Sequence, residues 1–186
     1  MIRIPLTACL LSTIWACGCA GQPSDTGRVT AVYDKTDGTL HQLSVDAAKD
    51  GKPNVYSYMD GNKFVRIEID KDEDGKIDRW EYYGSSQKIE KVGFSRANDG
   101  KQDAWAYQDS AGAVAKIEVS THHDGTVNRV EYYAKGVLAR AEEDGDGDGR
   151  PDKWETYENG ALSTVAFDTT HTGVADTTID YRKEKK

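Results

Sequence analysis

The chain has 186 residues, enough for one domain or one repeat array. Hydrophobic residues make up 37% and charged residues 30%, yet four Trp and ten Tyr at regular places exclude a disordered chain, which is poor in aromatics. A net charge of −8 excludes nucleic acid as a partner, since phosphate binding needs a basic patch, and suits cations instead.

Residues 1–18 read as a leader. Arg3 supplies a positive start, and Ile4 to Ala16 is apolar but too short to span a bilayer as a stable anchor. It ends in Ala16-Cys17-Gly18-Cys19, followed by the small and polar run Ala20-Gly21-Gln22-Pro23-Ser24. Small residues before a Cys resemble the lipobox of bacterial lipoproteins. The resemblance implies a lipidated Cys19 as the new N-terminus, with Ala16 and Gly18 at −3 and −1. Cys17 is the alternative anchor, although it places Trp15 at −2, and an ordinary cleaved signal peptide is the plainer reading. Inner-membrane retention in Gram-negative lipoproteins uses an Asp after the Cys; Ala20 stands there and leans toward the outer membrane. Residues 19–26 form the lipidated start and tether, and 27–186 the repeat domain. All three Cys fall in residues 9–19, so the domain has no disulfide, and bound metal is another way to hold it together.

The repeat is visible in Gly27, Gly51, Gly75, Gly100, Gly125, Gly149 and Gly173, spaced 24, 24, 25, 25, 24 and 24 residues apart. Three residues after each comes Thr30, Asn54, Asp78, Asp103, Asn128, Asp152 or Asp176. Then follows a strand with period-two alternation, as in Arg79-Trp80-Glu81-Tyr82. A Gly turn comes next, at Asp60-Gly61 and Asn159-Gly160 among others, dipeptides that favour tight hairpins. A return strand carries pairs such as Ile67/Ile69, Val92/Phe94 and Ile117/Val119 after a single apolar position (Phe64, Ile89, Val114). The expectation is an all-β array of about seven hairpin units and about fourteen strands, an antiparallel meander, solenoid-like or closed. Trp80 and Tyr82 are expected to share a face with the Ile and Val of the return strand. The other face is expected to carry Arg79, Glu81, Arg129, Glu131, Lys153 and Glu155. No helix is expected beside the acidic loops.

Two loops carry chemistry. Asp70 to Glu81 and Asp144 to Glu155 both place carboxylates at positions 1, 3, 5 and 9, Gly at 6 and Glu at 12. A hard cation such as Ca²⁺ takes six to eight oxygens, and a loop turned at a Gly folds alternate side chains around it. The spacing resembles EF-hand calcium loops, and without flanking helices it is closer to thrombospondin type 3 repeats. Carried over from that resemblance, the first set is Asp70, Asp72, Asp74, the Lys76 carbonyl, Asp78 and Glu81. The second is Asp144, Asp146, Asp148, the Arg150 carbonyl, Asp152 and Glu155. The two glutamates are open to another reading. They alternate with strand aromatics, and Glu131 keeps the same offset where the loop has lost its acids, so they read more readily as surface strand residues. The remaining loops (46–50, 95–99, 120–124, 168–176) read as turns in which Asp and Asn accept backbone N–H groups. His122 and His123 lack convergent partners for zinc.

These features add up to a lipid-anchored protein of the bacterial cell envelope. It is read as non-enzymatic and Ca²⁺-binding, held to the membrane by its N-terminal lipid and meeting a protein or polysaccharide partner. The alternative is a metal-independent interaction module. Its Tyr-Tyr and Gly periodicity loosely resembles the MORN-like repeats of bacterial immunity proteins. No nucleophile with a neighbouring base and no phosphate loop marks an enzyme.

Overall fold

A computed structural model describes residues 28–184. Thirteen strands follow in chain order: β1 (Val29–Tyr33), β2 (Leu40–Val45), β3 (Val55–Asp60), β4 (Lys63–Ile69), β5 (Arg79–Tyr83), β6 (Ile89–Phe94), β7 (Ala104–Gln108), β8 (Val114–Val119), β9 (Arg129–Ala134), β10 (Val137–Glu143), β11 (Lys153–Glu158), β12 (Ala161–Phe167) and β13 (Thr177–Asp180). They form one sheet in sequence order, every pair antiparallel. The sheet is an open meander and does not close. After β13 comes a 3-10 turn, Tyr181–Glu184, and the fourteenth expected strand is not among the described residues.

Every substantial strand contact is with a sheet neighbour, so the described residues build a single layer with no second sheet over either face. The expected sharing of a face by aromatic and aliphatic residues is overturned. Directly opposed residues in an antiparallel pair lie on the same face. Trp80 opposes Glu68 and Gly93, and Tyr82 opposes Arg66 and Lys91. Ile67 and Val92 instead oppose Glu81. The cause is a bulge at the Gly-turn end of all six hairpins, where the return strand carries one extra residue: His41, Val65, Glu90, Ala115, Ala139 or Ser163. One extra residue flips the parity of everything beyond it.

Each face therefore mixes apolar and charged side chains. On the first face the tyrosine rings are covered by cationic side chains. Arg66 lies 4.2 Å from the Tyr58 centroid, Lys91 4.4 Å from Tyr82, Lys116 4.3 Å from Tyr107, and Arg140 over Tyr132 at 3.6 Å. On the second face Val92, Ala104, Ala106, Val119, Ala141 and Val165 are buried, although no layer lies above them. Long neighbours such as Arg129, Glu131 and Glu155 shield them instead. The sheet thus needs no partner layer to hide its aromatics.

Candidate metal centre

Six long loops (46–54, 70–78, 95–103, 120–128, 144–152, 168–176) join even to odd strands, so a meander gathers them at one end. They share one frame. The position-1 side chain (Asp46, Asp70, Ser95, Ser120, Asp144, Asp168) accepts the N–H of the position-6 Gly. The position-9 side chain (Asn54, Asp78, Asp103, Asn128, Asp152, Asp176) accepts the N–H of position 2. At position 5, Asp50, Asp74, Asp99, Asp124 and Asp148 accept the N–H of position 7. The N–H of position 1 also reaches back to the position-9 carbonyl of the preceding loop, as from Asp70 to Asn54 and from Asp168 to Asp152. Position 6 must be left-handed, φ +89° at Gly75 and +88° at Gly149, which is why Gly recurs there.

The turn reading of the four plainer loops is what these bonds describe. The frame also accounts for the acids at positions 1, 5 and 9 wherever they occur. Position 3 is not a shared part of it: Ala48, Ala97, His122 and Thr170 serve elsewhere, whereas Asp72 and Asp146 in the two richer loops add a bond from the position-5 N–H, at 3.4 and 3.1 Å. These surplus carboxylates are the ones that converge. Oxygens of Asp70, Asp72 and Asp78 lie within 4.8 Å of one another, and so do those of Asp144, Asp146 and Asp152. Both groups offer only oxygen, the donor type of hard cations.

In the first group Asp70 is 6% exposed. Its Oδ2 takes the Gly75 N–H at 2.9 Å, while its Oδ1 is buried without any hydrogen-bond partner. A buried carboxylate oxygen left without a donor is costly, and a cation removes that cost. Asp70 and Asp74 also border a cleft of about 500 Å³ with Tyr56, Tyr58 and Glu68; Asp72 and Asp78 do not line it.

The other expected ligands are placed differently. Asp74 and Asp148 stand outside the convergent groups, turned onto Lys76 (Nζ at 3.1 Å) and Arg150 (Nη2 at 3.0 Å). The backbone N–H of Lys76, followed by its side chain, lowers the Asp74 pKa. Glu81 and Glu155 are strand residues. Glu81 accepts from Arg79 Nε at 2.8 Å and from the Tyr83 hydroxyl at 2.9 Å. Glu155 accepts from Arg129 at 2.7 Å and Tyr157 at 2.9 Å, and pairs with Lys153 at 2.8 Å. Neither joins a carboxylate cluster; both fit the strand-residue reading. Cys17 and Cys19 lie outside the described residues.

Contacts between loops were not legible in the motif. The position-4 side chain reaches into the preceding loop: Asn98 Nδ2 donates to Asp72 Oδ2 at 3.0 Å, and His171 Nδ1 lies 2.6 Å from Asp146 Oδ2. His123 does the same to Asp103 at 2.6 Å. The only signal was the unit period itself, which sets equivalent loops side by side.

No family model matches the chain, and no curated protein matches it. Among solved structures, TarM from S. aureus is similar over 49% of this chain, with TM-score 0.40 and 19% identity, in a mutant complexed with Fondaparinux, alpha-GlcNAc-glycerol and UDP. A second TarM structure is similar over 53%, with TM-score 0.42 and 19% identity. A structure of accessory secretory protein 1, 2 and 3 from Streptococcus pneumoniae is similar over 72%, with TM-score 0.31 and 14% identity. The chain spans 17%, 19% and 23% of the length of these three.

Proposed function

We propose that this protein is a non-enzymatic β-repeat scaffold of the bacterial cell envelope, anchored by a lipid on Cys19 and stiffened by Ca²⁺ in two of its six loops. The observation that carries the metal reading is the convergence of Asp70, Asp72 and Asp78 oxygens, at a residue, Asp70, whose Oδ1 is buried without a hydrogen-bond partner. Asp70, Asp72 and Asp78 would hold the first ion, and Asp144, Asp146 and Asp152 the second. Bound there, Ca²⁺ supplies charge that offsets three crowded carboxylates. Asp74 and Asp148, with the Lys76 and Arg150 carbonyls, complete each set once their side chains leave the loop cations. With Glu81 and Glu155 committed to the strands, the ligand set is short. Affinity then falls in the weak range of extracellular modules, about 10⁻⁴ to 10⁻³ M. The first loop binds more tightly, because of the two it is the one with a buried carboxylate oxygen, Asp70 Oδ1, left without a hydrogen-bond partner.

Isothermal titration of Ca²⁺ is the test. Two sites with oxygen-only selectivity, the weaker one removed by Asp146→Ala and the tighter by Asp72→Ala, support this function; no heat at millimolar Ca²⁺ refutes it. Fatty-acid labelling that Cys19→Ser abolishes tests the anchor, and labelling that persists in Cys19→Ser but not Cys17→Ser moves it to Cys17.

A further inference from the structure

Among the described residues no strand pairs with the outer side of β1, and all five of its residues are exposed. Natural edge strands are usually guarded by an internal charge, a proline or a bulge. This one reads Val-Thr-Ala-Val-Tyr, with Val29 58% and Tyr33 59% exposed, and the bulge of its hairpin lies on β2. Corresponding positions of β5, β9 and β11 carry the pairs Arg79/Glu81, Arg129/Glu131 and Lys153/Glu155, where β1 has Ala31 and Tyr33. Its charges sit just outside the strand, Arg28 before it and Asp34 after it.

We propose that β1 is a self-association edge, at which two copies of this chain pair their β1 strands antiparallel about a two-fold axis at Ala31. The Arg28 carbonyl and the Asp34 N–H both bond inward, to Asp46 and Thr39. Backbone groups alternate along a strand, so those of Val29, Ala31 and Tyr33 point outward. Pairing centred on Ala31 sets Ala31 against Ala31 and Val29 against Tyr33, using every outward group. Val29 against Tyr33 is a β-branched to aromatic pair, which favours a sheet. The same register sets Arg28 of each copy against Asp34 of the other, so the flanking charges are complementary twice over.

Other uses of the edges fit less well. Thirteen alternating strands leave β1 and β13 running in the same direction, so head-to-tail growth would make a parallel pair inside an antiparallel sheet. A contact one strand wide is small, and the dimer is weak and concentration-dependent.

Sedimentation velocity of the full chain in mild detergent, over a range of concentrations, tests this. Wild type is expected to pass from monomer to dimer. Arg28→Glu and Asp34→Arg should each weaken dimerisation about tenfold, since two attractive pairs become repulsive. Mixing the two single variants, or combining both changes in one chain, should restore it. Ala31→Pro removes only an outward N–H, keeps the bonds to β2, and should leave a folded monomer. A wild type that stays monomeric at every concentration overturns the proposal. Association that ignores the charge exchange, or survives Ala31→Pro, places the contact elsewhere and overturns it equally.

Discussion

Arg129 on β9 reaches across β10 to Glu155 on β11, Nη2 to Oε2 at 2.7 Å. Its other nitrogens hold Glu131 at 3.0 Å and Glu143 at 3.1 Å. Ala141 on β10 opposes both Glu131 and Glu155 and is 1% exposed, so the span crosses a position small enough to lie beneath it. In a one-layer sheet such bridges replace the second layer as the cover for small apolar residues. The guanidinium is matched by three carboxylates, and removing it leaves Glu143 and Glu155 sharing Lys153 and Glu131 with the Tyr133 hydroxyl. Arg129→Ala is expected to lose about 3 kcal/mol in urea unfolding. A loss within the range of an exposed pair, about 0.5 kcal/mol, would assign the cluster no structural weight.

Glu155 gives this cluster a pH signature. Burial alone would raise its pKa, but the hydrogen bonds from Arg129, Lys153 and Tyr157 outweigh that and hold it at about 2, against 4.5 for the unperturbed group. A carboxyl depressed in the folded state contributes stability above its unfolded pKa and loses it as pH falls through the folded one. Part of the stability, about 2 kcal/mol once water access to a single layer is allowed for, should disappear between pH 4.5 and 2. Glu155→Gln should remove that slope and lower the neutral-pH stability to match.

The hydroxyls of Tyr83, Tyr107 and Tyr133 titrate late. Burial, then the hydrogen bonds they donate to Glu81, Glu118 and Glu131, push each up to about 12. A raised folded pKa means stability that is complete below pH 10 and lost as pH rises through 12. Ultraviolet titration should resolve a late tyrosinate step, and Glu131→Gln should bring one phenol out of it. A single step near pH 10 for all tyrosines would contradict the hydrogen bonds.

The loop frame separates folding from metal. Asn54 and Asn128 make the same position-9 bond as Asp78, so Asp78→Asn should fold normally and melt like wild type in chelator. It should nevertheless bind Ca²⁺ more weakly at the first loop, because a carboxylate is gone. Gly75→Ala is expected to cost about 1–2 kcal/mol with or without Ca²⁺, since φ +89° strains any side chain. Equal effects of the two substitutions in chelator would mean the frame does not work as described.

The repeat, the strands and the acidic loops were legible because each rests on local spacing. Period-two alternation located β3 to β12, and Gly at each sixth loop position marked a left-handed turn. The face of each residue was not legible by counting across the Gly turn, because the bulge inserts a residue there. A trace of it was present. Ile89 precedes Val92 and Phe94 by three and five residues, and Phe64 precedes Ile67 and Ile69 likewise, which is a change of parity within one strand. Glu81 reads both as a ligand and, with Glu131 at the same offset, more readily as a strand residue, because twelve-residue motif and strand overlap at that point. Its Arg79 and Tyr83 partners belong to its own strand and favour the latter.

The most direct measurement is thermal unfolding of wild type and the Asp72→Ala/Asp146→Ala variant, each in Ca²⁺ and in chelator. The contacts of the position-3 carboxylates, with the position-5 N–H and with Asn98 or His171, are exposed, so in chelator the variant should melt only slightly below wild type. Added Ca²⁺ should raise the wild-type midpoint in proportion to the logarithm of its concentration and leave the variant unmoved. Wild-type curves that are the same in Ca²⁺ and in chelator would contradict a structural role for the metal, and a variant that still responds would place the ion elsewhere.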